Sequence, residues 1–394
     1  MFITGTSSAL HGARALGGAS ARPRVAARGN GRGGSAFWWV VNRRRARCLG
    51  SPAEAGQLLC MAARDNPPPN QTRSSLDVDS MASRLAAELH APKVDENDVP
   101  GEPSEKAGKQ MEGRNGLPYV LLTNEHTKQT AEVYLFGACV TSWKVRDAAS
   151  EVLFLSDQAV FDRSTAIRGG IPVCFPQFGN QGNLPNHGFA RSVDWKLDAI
   201  EMVEQLGASR CVLSLRSDDL PEEHRRLFPH KFRAQYRVTL NLRGLSCELK
   251  VTNEDASQDL KFTAGLHNYF KVRDIEKVRI FGCEGLEYMD KTAGNTMRRE
   301  ADGLASGLAI NQHTDRVYRE APEEMAIFDS TALSVMKLNK RGFPDCTVWN
   351  PYGSQGSDPG WGGFVCVEPV VFHNEGVTLK PGETWTGSQE LAAE

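Results

Sequence analysis

The sequence of 394 residues has no long apolar run. The run at 36–41 (AFWWVV) is far shorter than the roughly 18 consecutive apolar residues that indicate a membrane-spanning helix, and no other run approaches that length. We therefore expect a protein that does not cross a membrane.

The chain also lacks the short motifs of several enzyme classes. It has no GxxxxGK[ST] phosphate loop, HExxH zinc motif, GxSxG nucleophile elbow or EF-hand loop, and RGGIP at 168–172 is not a GxGxxG dinucleotide fingerprint. No ligand cluster at metal-binding spacing is visible, so we expect neither a metal nor another cofactor. The net charge of -2 gives no global basic field, and we expect no nucleic-acid partner.

Paired cysteines are missing as well. The nine cysteines include no CxxC pair, and their spacing is wide and irregular. This pattern favours scattered, reduced thiols over a disulfide framework or a zinc site. Several lie in apolar runs, such as Cys174 and Cys366, where cysteine acts as a small hydrophobic residue.

Acidic residues are absent from the first 53 positions. Residues 1–60 contain nine arginines, no lysine and one acidic residue, Glu54. This composition is typical of an organelle transit peptide, although a generic disordered tail has similar features. We predict a transit peptide over 1–60 and a plastid location, with the mitochondrion or the cytoplasm as alternatives.

Residues 61–115 are polar and rich in proline. They include DNPPPNQ at 65–71 and the acidic stretch VDENDVPGEPSEK at 94–106. Such a composition buries little apolar surface, so we predict a disordered linker here. The ordered domain is then expected to span 116–394.

The remaining segment is a series of short strand-like runs with little helical periodicity. Runs such as YVLLTNE and AEVYLFGACVTSWKV are rich in Val, Leu, Phe and Tyr and are bounded by turn residues. RVTLNLRGLSCELKV reads as a hairpin that turns at Arg243-Gly244. The pattern predicts an all-β domain built as one large antiparallel β-sandwich.

One glycine- and proline-rich stretch, 168–191, carries several polar groups. It reads RGGIPVCFPQFGNQGNLPNHGFAR and contains Arg168, Gln177, His187 and Arg191. Glycine and proline fix unusual backbone angles, which indicates a shaped loop. Two arginine forks suit an anion such as a phosphate, although surface arginines on a rim loop would look the same.

A histidine and a glutamate lie in two predicted strands. In LKFTAGLHNYFKV (260–272), alternation places Phe262, Leu266 and Phe270 on an apolar face and His267 on the opposite, more polar face. Glu368 ends the apolar run FVCV, where a carboxylate must be paired or line a cleft. Burial would raise its proton affinity, as suits a general base near neutral pH.

The segments RGGIP, FPQFG, HGFAR, LHNYF, HTDRVY, VWN and CVEP occur in this order between 168 and 369. Together they resemble the glucose-6-phosphate 1-epimerase branch of the aldose 1-epimerase (mutarotase) family. The resemblance implies a galactose-mutarotase-like supersandwich, no cofactor and a sugar-phosphate substrate. We further expect a monomer.

The same resemblance implies roles for particular residues. His267 and Glu368 would be the catalytic acid and base, and their opposite charges would favour a protonated His267 beside an ionised Glu368. Substrate contacts would come from Arg168, Arg191, His187, Asp315 and Gln177. Two alternatives stay open: an aldose 1-epimerase acting on free sugars, and a sugar-phosphate-binding protein without activity.

Overall fold

The computed structural model describes residues 99–146, 148–302, 306–354, 360–373 and 376–394. The predicted transit peptide at 1–60 and most of the predicted linker lie outside these ranges. The described part of the chain consists mainly of antiparallel strands, as the sequence predicts for an all-β sandwich. None of its helices combines the length and the apolar composition that crossing a membrane requires.

Within the described residues, the largest sheet, sheet I, has nine strands. Its spatial order is β1 (Glu102–Pro103), β8 (Lys196–Val203), β9 (Ala208–Arg216), β10 (Phe232–Leu240), β11 (Leu245–Asn253), β24 (Thr384–Ala393), β20 (Ser334–Arg341), β19 (Glu324–Asp329) and β15 (Val278–Phe281). The predicted hairpin is confirmed by the β10–β11 pair, in which Leu240 is opposite Leu245. Asn241 closes its turn, because the side-chain oxygen accepts from the backbone N–H groups of Arg243 and Gly244.

Sheet II has eight strands among the described residues. Its main path is β17 (Thr296–Arg299), β16 (Glu287–Asp290), β18 (Thr314–Tyr318), β21 (Asp345–Asn350), β22 (Phe364–Val371), β13 (Ala264–Leu266) and β7 (Val173–Cys174), and β14 (Tyr269–Lys271) also pairs with β22. The predicted strand over 260–272 is therefore interrupted. Its first part, β12 (Leu260–Phe262), pairs with β23 (Val377–Leu379) instead.

Sheet III contains five strands of the described residues: β2 (Gly108–Glu112), β3 (Pro118–Thr123), β4 (Thr130–Tyr134), β5 (Cys139–Val145) and β6 (Ser150–Glu151). One short α-helix, α1 (Glu222–Leu227), occurs in the part of the chain that the structure covers. The 3₁₀ turns there are Arg114–Gly116, Ala190–Ser192, Glu204–Leu206, Ser217–Asp219, Ile275–Lys277, Lys291–Ala293 and Trp361–Gly363.

The main hydrophobic core joins the three sheets. It includes Val120 of β3, Leu249 of β11 and Val367 of β22, each with no exposed surface. Because side chains alternate along a strand, one face of β22 fills this core and the other is left for different contacts. The core thus fixes sheet II, whose opposite face carries the site described below.

The ordered domain begins earlier than the sequence predicts. Strands β1 and β2 lie within the segment assigned to the linker, and β2 pairs with β3 from Gly108–Leu122 to Glu112–Pro118. Most residues of β2 are exposed, so its composition is polar. Its order comes from backbone pairing, which a count of apolar residues does not detect.

Candidate active site

A cleft of about 470 Å³ opens on the face of sheet II that points away from the main core. On β22, Val365 and Val367 belong to the core, and the alternate residues Cys366 and Glu368 face the other way. The cleft brings together six of the seven predicted site residues: Arg168, His187, Arg191, His267, Asp315 and Glu368.

His267 and Glu368 form a buried pair at the base of the cleft. The Nδ1 atom of His267 lies 3.5 Å from Oε2 of Glu368, and neither atom has a hydrogen-bond partner. This separation exceeds that of a normal hydrogen bond. Both side chains are almost fully buried, at 7% and 1% exposure. The histidine is therefore not a surface residue of a solvated sheet.

The backbone around His267 is held by buried amides. The His267 N–H donates to the Pro172 carbonyl at 3.0 Å, between β13 and β14. Asn268 donates to the Val367 carbonyl and exchanges two side-chain hydrogen bonds with Gln389 of β24. These contacts satisfy polar groups where the strand is interrupted and fix the direction of the imidazole.

Aromatic rings surround the imidazole on two sides. Tyr269 stacks on His267 with a centroid distance of 4.6 Å and an angle of 6°. Trp349 meets the same imidazole edge-on at 5.8 Å, and the Arg168 guanidinium lies 5.9 Å from the Trp349 ring. The rings cover two sides of the imidazole and limit its motion.

Burial changes the protonation of the pair. It raises the pKa of Glu368 well above its usual range, and Asp315 adds to the rise, whereas Lys291 and Arg191 oppose it. Burial also lowers the pKa of His267 well below its usual range, helped by His187 and the nearby cations. The predicted ion pair is therefore disfavoured, because desolvation penalises both charged forms.

Three cationic side chains line the cleft, namely Arg168, Arg191 and Lys291. Arg191 donates to the Asn186 carbonyl at 2.9 Å, which ties it to the loop before it. Lys291 lies 3.0 Å from the Asp315 carboxylate. Sequence reasoning missed Lys291, because the turn that carries it, DKTAG, has no motif that would single it out.

His187 is fixed by a reciprocal contact with Gly179. Its N–H donates to the Gly179 carbonyl at 2.8 Å, and its Nδ1 accepts from the Gly179 N–H at 3.3 Å. The residue has a left-handed φ of 64°. Since Nδ1 is an acceptor, the proton of the neutral ring lies on Nε2. Burial, with Arg191 and Lys291, lowers the pKa of His187 well below its usual range and keeps the ring neutral.

Gln177 stands apart from the other six predicted residues. It does not line the cleft, and its amide bonds the loop instead. Its NH₂ group donates to the carbonyls of Gly179 and Leu184, and its oxygen accepts from the Leu184 N–H. The predicted substrate contact is therefore replaced by an internal one: the Pro- and Gly-rich loop leaves backbone groups without partners, and this amide satisfies them.

Two further residues border the pair, and neither is among the predicted site residues. The buried hydroxyl of Thr347, opposite Glu368 in the β21–β22 register, has no hydrogen-bond partner. Cys366 brings its sulfur close to the pair: one ligand atom each from His267, Cys366 and Glu368 lie within 4.8 Å of one another. The sequence does not reveal this group, because His267 lies between β13 and β14, far along the chain from Cys366 and Glu368 on β22.

Comparisons with known proteins agree with this architecture. Residues 119–392 match the family described as aldose 1-epimerase. The chain is 37% identical over 282 residues to a Cenchrus ciliaris protein named "Putative glucose-6-phosphate 1-epimerase", covering 67% of this chain and 81% of that one. An Escherichia coli K12 protein of the same name is 32% identical over 266 residues, covering 63% and 82%.

A solved structure gives the same result for the fold. The crystal structure of a "putative mutarotase" from Salmonella typhimurium superposes with a TM-score of 0.61 at 25% identity, covering 80% of this chain and all of that one. The chain belongs to the aldose 1-epimerase family.

Proposed function

We propose that the protein interconverts the α and β anomers of a hexose 6-phosphate, with D-glucose 6-phosphate as the substrate. The observation that carries this proposal is the buried His267–Glu368 pair facing three cations in one cleft. The relatives named above support the same substrate class. An acid–base pair serves anomerisation, and the cations serve a phosphate group.

The reaction needs two proton transfers. Glu368 takes the proton of the C1 hydroxyl, and His267 gives a proton to the ring oxygen. The ring opens, the C1–C2 bond rotates, and the ring closes on the other face with the two roles exchanged. Each group contributes on the order of 10²–10⁴-fold to the rate.

The productive protonation state must be reached against the burial of the pair. Burial and the nearby cations lower the pKa of His267, so the free protein holds few protonated imidazoles. A bound phosphate dianion next to Arg168 and Arg191 would offset the positive field of those arginines. The substrate would thereby favour the protonated imidazole that the first step requires.

The remaining contacts position the sugar. Arg168 and Arg191 bind the 6-phosphate, which anchors the substrate at the end remote from C1. His187 presents its Nε2–H, and Asp315 accepts from sugar hydroxyls. Lys291 holds the Asp315 carboxylate at 3.0 Å, so the acceptor stays in place when the cleft is empty.

The test is magnetisation-exchange NMR of the anomers of glucose 6-phosphate with the full chain, run beside free glucose. Faster exchange of the phosphate ester alone is the expected result. Acceleration of both sugars would instead indicate an aldose 1-epimerase for free sugars. Acceleration of neither, with binding of glucose 6-phosphate retained, would indicate a binding protein.

We propose that the protein is imported into the plastid through a transit peptide at 1–60. The support is compositional: nine arginines and one acidic residue over those positions. A fluorescent protein fused after residue 60 should enter plastids. Entry into mitochondria, or retention in the cytoplasm, would replace this proposal with one of the two alternatives.

A further inference from the structure

The catalytic pair has a neighbour that the proposed mechanism does not use, the thiol of Cys366. Cys366 and Glu368 are two residues apart on β22 and share a face of sheet II. Cys366 is also opposite Tyr269 in the β14–β22 register, which brings the chain at His267 to the same place. One ligand atom from each of the three residues lies within 4.8 Å of the others.

Two of the three residues carry buried atoms with no hydrogen-bond partner. These atoms are Nδ1 of His267 and Oε2 of Glu368. A buried polar atom without a partner costs about 1–3 kcal/mol, so such atoms commonly mark a place where a ligand or ion binds. Nδ1 of a neutral imidazole and an oxygen of an ionised carboxylate each offer a lone pair to a metal ion.

The donor set selects the kind of ion. Imidazole, thiolate and carboxylate are ligands of Zn²⁺, and three protein ligands leave a fourth position for water or substrate. The thiolate excludes Mg²⁺ and Ca²⁺, which take oxygen ligands. With Glu368 and Cys366 deprotonated, the two negative ligands balance the charge of the ion, which limits its repulsion by Arg168 and Arg191.

We propose that His267, Cys366 and Glu368 form a binding site for one Zn²⁺ ion, and that this ion inhibits the protein. Binding releases the Glu368 and Cys366 protons to solvent and occupies the atoms that transfer protons to and from the sugar. The ion and the substrate therefore compete for the cleft. The inhibition rests on the proposed function, whereas the binding does not.

Co²⁺ serves as the probe for binding, because a thiolate ligand gives it a charge-transfer absorption band. The full chain should show this band at one equivalent of Co²⁺, and Cys366→Ser should lose it. Cys211→Ser is the matched control, since Cys211 is also fully buried but lies in the main core. A band of equal strength in Cys366→Ser would overturn the site, as would its absence in the unaltered protein.

Inhibition is measured with Zn²⁺ in the anomer-exchange assay. Cys366→Ala should keep the metal-free rate, and the Zn²⁺ concentration for half-inhibition should rise more than about tenfold, since even indirect partners of a metal contribute that much. A chelator should restore activity, and glucose 6-phosphate should protect. Equal inhibition of both forms would overturn the proposal.

The two readouts separate the two proposals. A Co²⁺ band that depends on Cys366, in a protein without exchange activity, would support the metal site and reject the epimerase. Exchange activity that Zn²⁺ leaves unchanged would support the epimerase and reject inhibition by the ion. Circular dichroism of Cys366→Ser and Cys366→Ala distinguishes a lost ligand from a lost fold.

Discussion

Two polar depressions of this protein are lined by arginines, and they differ in what those arginines contact. The cleft on sheet II has a volume of about 470 Å³, and a groove over β8, β9 and β10 of sheet I has about 770 Å³. In the groove, each of four arginines has a carboxylate within 2.7–3.7 Å; the pairs are Arg210–Glu201, Arg216–Glu254, Arg233–Asp198 and Arg237–Glu248.

The cleft is smaller, yet it holds the reactive arrangement. His267 and Glu368 are almost fully buried, 3.5 Å apart, and their facing atoms lack hydrogen-bond partners. Each of the groove's four arginines has a carboxylate partner, so their positive charge is balanced within the protein. Neither size nor the number of charges therefore identifies the site, whereas a buried histidine–carboxylate pair whose facing atoms lack hydrogen-bond partners does.

The largest difference between the two depressions should appear when one glutamate of each is replaced by glutamine. We expect Glu368→Gln to lower the anomer-exchange rate by about 10²–10⁴-fold, because the amide cannot accept the C1 proton. Glu201→Gln, which weakens the 3.7 Å contact with Arg210, should leave the rate unchanged. Exchange NMR on glucose 6-phosphate compares the two variants. A full rate in Glu368→Gln would remove the basis for distinguishing the cleft from the groove.

A smaller difference should appear when one arginine of each depression is replaced by alanine. Arg168→Ala should raise the KM for glucose 6-phosphate by about 10–100-fold, since it removes charge-assisted hydrogen bonds of roughly 1.5–3 kcal/mol. Arg216→Ala in the groove should leave it unchanged. Steady-state kinetics with the phosphate ester and with free glucose tests both. Equal losses on both sugars in Arg168→Ala would argue against a phosphate clamp.

The pH dependence should sharpen the comparison further. Glu368 must be ionised to act as base, and its raised pKa moves the acidic limb of kcat/KM to higher pH than an ordinary carboxyl would give. His267 must be protonated to act as acid, and its lowered pKa moves the alkaline limb to lower pH. Both shifts reduce the fraction of protein with an ionised Glu368 beside a protonated His267, so a low maximum is expected. Because Arg168 contributes to the lowered pKa of His267, Arg168→Ala should move the alkaline limb back to higher pH.

The smallest effect on catalysis should come from the loop that forms one wall of the cleft. Gln177→Ala removes a buried amide that bonds Gly179 and Leu184, and we expect a loss of about 1–3 kcal/mol in the free energy of unfolding. Its kcat should change less than that of Glu368→Gln. Thermal unfolding and kinetics on the same sample check this. A large loss of kcat in a stably folded Gln177→Ala would restore the predicted substrate contact.

The sequence predicts strands and faces well where side chains alternate. Phe262, Leu266 and Phe270 lie in the main core, as their spacing indicates. Glu368 is a site candidate because a carboxylate in an apolar strand needs a partner or a cleft, whereas His267 is one through the resemblance of its segment LHNYF to the family. The contact between the His267 and Glu368 side chains is not predictable from their positions along the chain, since it depends on how β13 and β14 pair with β22.

Other features depend on directions that a sequence does not encode. Gln177 lies among cleft residues along the chain, but its side chain turns to the loop backbone. Lys291 lies in the turn between β16 and β17 and reaches Asp315 on β18, the neighbour of β16 in sheet II. Spacing along the chain predicts neither contact, because each depends on the direction that a side chain takes in the folded structure.

The position of β24 has a consequence for how the chain can fold. This last strand, Thr384–Ala393, lies in the middle of sheet I, between β11 and β20. Until it is synthesised and released, both neighbours have an unpaired edge, and such edges invite pairing with other chains. Gln389 on β24 also bonds Asn268, beside His267. The fold and its active site are therefore complete only when β24 is in place, and a truncation that removes this strand should abolish both.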